Sequence, residues 1–315
     1  MLLKEFIAGA VPALEPLYGQ SEARSIVLNL CEDILGTRSY THIVEPDFAV
    51  PEGRLPVLKE KLARLAEAEP LQYVVGHAPF CGYDFKVTPD VLIPRQETEL
   101  LCRSAIDFAS RISRMRVAAG RYAAPVRILD LCTGSGCIAW TLALSVPGSE
   151  VTGTDISEKA LEVARSQDFK SYVKAHNIKV PRFVLHDILS AGADGAFDAG
   201  TDDVPDASGA GEAGFDLILS NPPYVRESEK SSMNKNVLDY EPASALFVPD
   251  DDPLLYYRAI AAFSMKHLNP DGAGFVEINE AFGTQVSETF VSAGFQRTEL
   301  TKDLNNRNRI LHYWR

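Results

Sequence analysis

The stretch of sequence that decides the fold is ILDLCTGSGCIA, residues 128–139. It begins with an apolar run typical of a buried strand, passes through a loop with Gly134 and Gly136, and ends in apolar residues typical of a helix start. The glycines allow a sharp turn and the close approach of a ligand. Free N–H groups at the start of the helix favour a carboxylate or a phosphate. The stretch therefore predicts a ligand site, and its spacing also fits the G-x-G-x-x-A pattern of dinucleotide-binding proteins.

Short apolar strands alternate with helices on the C-terminal side of this stretch, which indicates a mainly parallel, doubly wound α/β sheet. We predict strands at 126–131, 150–154, 181–185, 215–220, 273–278 and 309–313, and helices near 136–145, 157–170, 253–268 and 280–293. Residues 1 to about 70 have helical periodicity with a stop at Gly36, and β-forming residues between 73 and 91 predict a hairpin.

Acidic residues follow two of the predicted strands. Asp155 lies about 20 residues beyond the glycine loop, where dinucleotide-binding folds place an acceptor for ribose hydroxyls. Asp187 follows the strand predicted at 181–185. The simpler interpretation of each is a helix cap or a turn residue, and for Asp155 the cap and ribose-binding roles can coexist. At this point NAD and S-adenosylmethionine both fit the site.

The fourth predicted strand, 215–220, ends in NPPY, residues 221–224. Two prolines fix φ and remove two donors, so their carbonyls are held rigidly. Asn221 offers an amide acceptor and donor, and Tyr224 offers a flat ring. These groups suit a planar NH2 group, although a proline-rich turn is the simpler interpretation of the motif alone. A dehydrogenase needs a hydride-handling group at this place, so we favour a methyl donor over a nicotinamide.

The composition limits the partners. The formal net charge of −12 argues against a broad basic nucleic-acid footprint. Five scattered cysteines show neither metal-ligand nor disulfide spacing, which indicates a reducing compartment and no bound metal. The sequence shows no signal peptide and no apolar run of about 18 residues. We therefore expect a cytoplasmic protein that binds neither membrane nor nucleic acid directly.

Together these motifs resemble class I S-adenosylmethionine-dependent methyltransferases that act on planar nitrogen, whose fold is a Rossmann-like, seven-stranded, doubly wound sheet. Further stretches are similar to the release-factor glutamine methyltransferases, also called PrmC or HemK: PLQY at 70–73, VLIPRQETE at 91–99, and the segments 240–246, 255–258 and 303–309. The sequence departs from that pattern at Gln96, where proline is usual, and at Asn279, where glycine is common. We expect neither residue to touch the chemistry directly.

The resemblance implies an enzyme that methylates the side-chain amide N5 of the glutamine in the Gly-Gly-Gln loop of class I peptide chain release factors. S-adenosyl-L-methionine would be the donor and S-adenosyl-L-homocysteine the product. It also implies a helical substrate-docking domain at 1–72, a β-hairpin linker at 73–95, and a methyltransferase domain at 96–315. The segment at about 191–214 is rich in Gly, Ala and Asp, and this composition predicts an acidic surface insertion that departs from the family pattern. We expect a monomer.

Each candidate residue receives an expected role. The cofactor-binding set is Cys132, Thr133, Gly134, Ser135, Gly136, Asp155, Asp187, Ile188 and Asn221. The catalytic set is Asn221, Pro222 and Tyr224: the Asn221 amide oxygen and the Pro222 carbonyl accept the two amide hydrogens of the substrate, and Tyr224 packs against its plane. The substrate-binding set is Asn221, Pro222, Pro223, Tyr224, Arg95 and Glu97, although a surface ion pair is the simpler interpretation of the last two.

Two other functions stay open. An N6-adenine methyltransferase of nucleic acid would use the same NPPY motif, but it would need a basic target-recognition region, which the sequence does not show. An S-adenosylmethionine-binding adaptor that has lost activity is the second alternative. The intact Asn221 and glycine loop argue against it.

Overall fold

The computed structural model describes residues 1–118, 125–190 and 214–315. They form two units: Met1–His77 with Val87–Pro89 and Met233–Glu241, and Ala78–Lys86 with Asp90–Ser232 and Pro242–Arg315. The predicted acidic insertion at about 191–214 lies outside the described residues except for Gly214. No helix in the described ranges is long and apolar enough to cross a membrane.

The helices and strands are as follows. The helices are α1 Leu3–Leu35, α2 Thr41–Val44, α3 Leu55–Ala66, α4 Leu71–Val75, α5 Gln96–Ala118, α6 Cys137–Ser145, α7 Glu158–Arg165, α8 Lys170–His176, α9 Lys235–Tyr240, α10 Leu255–His267 and α11 Gly283–Ser292. The strands are β1 His77–Phe80, β2 Tyr83–Lys86, β3 Arg127–Leu131, β4 Glu150–Asp155, β5 Arg182–Leu185, β6 Phe215–Ser220, β7 Val225–Arg226, β8 Phe247–Val248, β9 Leu268–Glu277, β10 Arg297–Lys302 and β11 Asn308–Trp314.

The first unit is helical and has its own apolar core, built from α1, α3 and α4. Helix α1 kinks at Gly19, whose φ of 72° and ψ of 163° are not helical. It ends at Gly36, which has a left-handed φ of 67° and donates its N–H to the Glu32 carbonyl, so the predicted stop is confirmed.

The unit boundaries differ from those predicted at 72 and 95. The β1–β2 hairpin belongs to the second unit from Ala78 onward, whereas residues 233–241 belong to the first. Within the first unit the Tyr240 hydroxyl donates to the Glu67 carbonyl at 2.8 Å, which ties the late segment to the helical unit. The two residues are 173 positions apart, so no local sequence pattern predicts this contact.

The second unit contains a seven-stranded sheet with the order β10-β11-β9-β6-β3-β4-β5. Strands β5, β4, β3, β6 and β9 are parallel, and β11 and β10 add antiparallel pairings at one side. The predicted doubly wound α/β class with seven strands is confirmed. Strand β10 was not among the six located from the sequence, because its residues RTELTK are mostly polar and it lies at the sheet edge.

Three other elements differ in extent from the predictions. Strand β9 begins at Leu268 rather than at 273, and the helix predicted at 157–170 is divided into α7 and α8. The hairpin predicted between 73 and 91 is restricted to β1 and β2, because Tyr73 lies in α4.

Helices cover both faces of the sheet. Ile128 and Leu217 pack in the cluster that contains residues of α5 and α6, whereas their neighbours Leu129 and Ile218 pack in the cluster that contains residues of α10 and α11. Because successive strand residues point to opposite faces, burial on both faces explains the continuous apolar runs of β3 and β6.

Asp130 is the exception within β3: its carboxylate is fully buried. Its Oδ2 accepts hydrogen bonds from the Thr133 hydroxyl at 2.5 Å and from the Ala139 N–H at 3.2 Å. These contacts connect the strand to both the loop and the first turns of α6. Burial raises the pKa of Asp130 to about 7, although both hydrogen bonds lower it. The carboxyl therefore fixes the path of the loop at a cost in desolvation.

The side chain of Tyr313 lies directly over Gly274, its partner in the β11–β9 ladder. The ring is fully buried, and its hydroxyl lies 2.9 Å from the Ser264 hydroxyl of α10. A Cβ on residue 274 would overlap this ring, so only glycine fits there.

Substituting Gly274→Ala should lower the free energy of unfolding by about 3 kcal/mol, because the new methyl group must displace the buried Tyr313 ring. Urea denaturation provides the measurement. Gly9→Ala in α1, where a Cβ meets nothing within 4 Å, is the matched control and should change stability by no more than about 1 kcal/mol. Equal effects of the two substitutions would contradict the packing argument.

Substituting Asp130→Asn should remove a pH dependence of stability. In the unfolded chain this carboxyl has its ordinary pKa of 3.8, so the folded protein binds the extra proton between there and about pH 7. The stability that the protonated form contributes is therefore present at low pH and is lost as pH rises through about 7. Relative to the variant, the wild-type free energy of unfolding should fall by up to about 1.4 kcal/mol per pH unit in this window. A difference that does not change with pH would show that Asp130 titrates normally.

Candidate active site

The candidate residues follow neighbouring parallel strands at one edge of the sheet. Residues 132–136 follow β3, Asp155 ends β4, Asp187 lies just after β5, and residues 221–224 follow β6. The pairing is in register, since Leu131 lies opposite both Thr154 and Ser220. All four segments therefore leave the sheet at its carboxyl edge, where open α/β sheets bind ligands.

The glycine loop turns through three left-handed residues, Cys132, Gly134 and Gly136, with φ of 59°, 53° and 78°. The two glycines serve different purposes. A Cβ on Gly136 would lie 2.9 Å from the Cβ of Ala164, so this glycine is needed for packing. A Cβ on Gly134 would meet nothing within 4 Å, so this glycine presents open space at the loop. Thr133 and Ser135 are buried.

Asp155 connects the loop to the next helix. Its Oδ2 accepts from the Gly134 N–H and its Oδ1 from the Ser157 N–H, both at 2.9 Å. Ser157 itself caps α7 by accepting from the Ala160 N–H. Burial raises the pKa of Asp155, and the backbone hydrogen bonds lower it. Each carboxylate oxygen has a second lone pair, so the cap role leaves room for a ligand hydroxyl.

Asp187 and Ile188 form the turn after β5. The Oδ1 of Asp187 accepts from the Leu189 N–H at 2.9 Å, which is the turn role considered from the sequence. Ile188 is buried in the core between the sheet and α10 and α11. Tyr256 of α10 lies close to this side of the site: burial raises its pKa, and so do the charges of Asp187 and Asp155.

The NPPY segment is held by side chains on both sides. Pro222 and Pro223 are buried, and Asn221 and Tyr224 are half-buried. The Asn221 Nδ2 donates to the Thr98 Oγ1 at 3.2 Å. The Tyr224 hydroxyl donates to the Glu277 Oε1 at 2.9 Å, and burial and this carboxylate raise the pKa of the phenol well above its usual range.

Thr98 and Glu277 are site residues that the sequence analysis missed. Thr98 belongs to the motif at 91–99, in which Arg95 and Glu97 were the predicted substrate-binding residues. Arg95 is half-buried and Glu97 is exposed. The helical spacing of Thr98 with Leu101, Cys102 and Ala105, all buried, was the available signal for an inward-facing hydroxyl. Glu277 carries the same signal as Asp155, an acid at the end of an apolar strand.

Asn279, one of the two departures from the family pattern, contacts the backbone of the NPPY segment. Its Nδ2 donates to the Tyr224 carbonyl at 3.1 Å and to Glu229 at 3.2 Å, and its Oδ1 accepts from the Ala281 N–H. A glycine offers none of these side-chain bonds. In this chain the asparagine thus fixes the backbone at the end of the NPPY segment.

Buried acidic groups dominate the electrostatics of this edge. Burial raises the pKa of Asp130, Asp155 and Glu277, which end or lie within three strands of the sheet. Several perturbed carboxyl groups at one edge of a sheet are typical of a functional site. Among the described residues, no group of three or more His, Cys, Asp or Glu side chains is arranged to hold a metal ion.

The chain is similar to known methyltransferases. Residues 124–247, which include the glycine loop and NPPY, match the family model described as a methyltransferase domain. Among solved structures, a methyltransferase from Pyrococcus furiosus aligns with 81% of this chain and 98% of its own at 17% identity, with a TM-score of 0.44.

Curated relatives match nearly the whole chain. The release factor glutamine methyltransferase of Bacteroides thetaiotaomicron is 34% identical over 303 residues, which are 95% of this chain and 95% of the relative. That of Flavobacterium psychrophilum is 33% identical over 311 residues, which are 99% and 98% of the two chains. The chain belongs to the release factor glutamine methyltransferase family.

Proposed function

We propose that this enzyme transfers a methyl group from S-adenosylmethionine to the side-chain amide N5 of the glutamine in the Gly-Gly-Gln loop of class I peptide chain release factors. One observation carries the proposal. The amide nitrogen of Asn221 is engaged by Thr98, so its oxygen is the end that accepts a hydrogen from a planar NH2 group. The family relationship supports glutamine rather than adenine as the source of that group.

The residues at the sheet edge fit S-adenosylmethionine. Gly134 leaves open space beside the loop, and the buried Oδ1 of Asp130 has no hydrogen-bond partner among the described residues. Asp155 adds a carboxylate. Acceptors beside an open loop suit a ligand that carries an ammonium group and ribose hydroxyls. The residues that would hold it are Cys132, Thr133, Gly134, Ser135, Gly136, Asp155, Asp187, Ile188 and Asn221.

When bound, S-adenosylmethionine supplies an electrophilic methyl group on a sulfonium that leaves as a neutral thioether. The protein must position the acceptor, because the lone pair of an amide nitrogen is delocalised into its carbonyl. Asn221 Oδ1 accepts one amide hydrogen and the Pro222 carbonyl accepts the other. These fixed dipoles stabilise the nitrogen as it gains positive charge. After the transfer the charged nitrogen releases one of its protons to water. The Tyr224 ring packs against the amide, and Pro223, Arg95 and Glu97 shape the substrate entrance.

The helical residues 1–72 serve as the docking region for the release factor in this proposal. They have a core of their own, yet Tyr40, Ile43 and Val44 expose 55%, 66% and 62% of their surface. Exposed apolar groups of this kind mark interaction sites. We further propose a monomer in the cytoplasm that makes no direct nucleic-acid contact, which the five free cysteines and the acidic net charge support.

The substrate is tested by incubating the enzyme with tritiated S-adenosylmethionine and a purified class I release factor. Label should appear in the Gly-Gly-Gln peptide, and intact mass spectrometry should find one added methyl group. A release factor with that glutamine replaced by alanine is the control and should stay unlabelled. Label that survives the replacement would refute glutamine N5 as the acceptor, and transfer to plasmid DNA would favour adenine instead.

Two substitutions should separate chemistry from cofactor binding. Asn221→Ala removes one preorganised acceptor and should lower kcat about 100-fold, with a smaller change in cofactor affinity. Asp155→Ala should chiefly weaken the binding of S-adenosylmethionine. Calorimetric titration and initial rates at saturating cofactor give the two quantities. Unchanged activity in both variants would show that the site has been assigned wrongly.

A further inference from the structure

Glu277 is a buried carboxylate beside the NPPY segment to which the reaction above gives no role. Its side chain is 1% exposed at the end of β9. One oxygen, Oε2, accepts from the Thr98 hydroxyl at 2.6 Å, and the other, Oε1, accepts from the Tyr224 hydroxyl at 2.9 Å. Both oxygens of the carboxylate thus face side chains that lead to the substrate amide.

The direction of the Thr98 proton follows from this arrangement. An ionised carboxylate has no proton to donate, so it can only accept. The single proton of the Thr98 hydroxyl must therefore point to Glu277, which leaves an oxygen lone pair on Thr98 to accept from Asn221. Only the nitrogen of the Asn221 amide can donate, and it lies 3.2 Å away. The oxygen of that amide is then directed away from Thr98.

Protonation of Glu277 would reverse the direction of these hydrogen bonds. It can donate its proton to the Thr98 oxygen, and the Thr98 hydroxyl is then able to donate to the Asn221 amide oxygen. The amide can turn over in response, since its two ends are nearly equal in shape. Its NH2 group would then face the NH2 group of the glutamine substrate, donor against donor, and the substrate would not be held.

We propose that Glu277, acting through the Thr98 hydroxyl, is the positioning residue that determines which end of the Asn221 amide faces the substrate nitrogen. The inference rests on the proposed function and extends it to a three-residue relay that runs from β9 through α5 to the NPPY segment. It also gives the threonine of the motif at 91–99 a defined task.

The charge of Glu277 makes this positioning depend on pH. Burial raises its pKa above the ordinary value of 4.5. The Thr98 and Tyr224 hydroxyls and the Arg309 guanidinium lower it again, and Glu97 raises it. The buried phenol of Tyr257 also lies within the field of this carboxylate. Because the ionised form holds Asn221 correctly, kcat should fall as pH drops through the raised pKa.

The test compares kcat, KM and pH profiles of the full-length enzyme with a purified class I release factor and saturating S-adenosylmethionine. Thr98→Val keeps the shape of the side chain but loses the hydroxyl, and kcat should fall about tenfold or more. Thr98→Ser keeps the hydroxyl and should restore most of the rate. Glu277→Gln offers one acceptor oxygen to two hydroxyl donors, and its kcat should lose the acid limb of the pH profile, as should that of Thr98→Val.

Thr141→Val is the matched control, because Thr141 is a fully buried threonine of α6 in the same unit. It should leave kcat and the acid limb unchanged, and calorimetric titration should find wild-type cofactor affinity in Thr98→Val. If Glu277→Gln fails to fold, the two Thr98 variants decide the matter alone. A wild-type rate in Thr98→Val, or equal losses in Thr98→Val and Thr98→Ser, would overturn the relay while release-factor methylation stands. A wild-type enzyme that labels no release factor would instead refute the proposed function.

Discussion

In-register parallel pairing is the constraint on which the site depends. Strand β3 pairs with β4 on one side and β6 on the other, and β6 continues the ladder to β9. The register places Leu131, Thr154, Ser220 and Val276 at one level, so the segments that follow them emerge together. A strand shifted by one residue would turn its side chains to the other face. The strong apolar burial on both faces of the sheet excludes that shift and thereby fixes the positions of the polar groups at its edge.

The buried carboxyl groups at this edge lower the free energy of unfolding rather than raise it. Carboxylates inside a protein lose hydration, and hydrogen-bond donors return only part of that energy. Asp155 receives two backbone N–H groups and Glu277 receives two hydroxyls, yet the pKa of each stays raised. Chains that needed only stability would carry apolar residues at these positions. The retained acids are best explained by the geometry that they impose on the glycine loop and on NPPY.

The sequence was sufficient for features that depend on local pattern, and it failed where distant segments meet. Apolar runs located six strands, and Gly134 and Asn221 marked the two segments proposed to bind ligands. Strand β10 was not predicted, because a strand at the edge of a sheet is partly exposed and does not need a run of apolar residues. Thr98 and Glu277 are 179 positions apart, and no periodicity within either segment shows that their side chains form a hydrogen bond. Asn279 was noticed as a departure, but its bond to the Tyr224 carbonyl requires a loop contact that only the folded chain supplies.

The position of β11 has a consequence for how the enzyme is made. This strand is the last of the seven along the chain, yet it lies inside the sheet, between β9 and β10. Its residue Ile310 pairs with Glu277. On the ribosome, therefore, the ladder beside Glu277 stays open until residues 308–314 have left the exit tunnel. The glycine loop and NPPY both precede this strand in the chain, so the strand that closes the ladder beside Glu277 is synthesised after every segment of the candidate site.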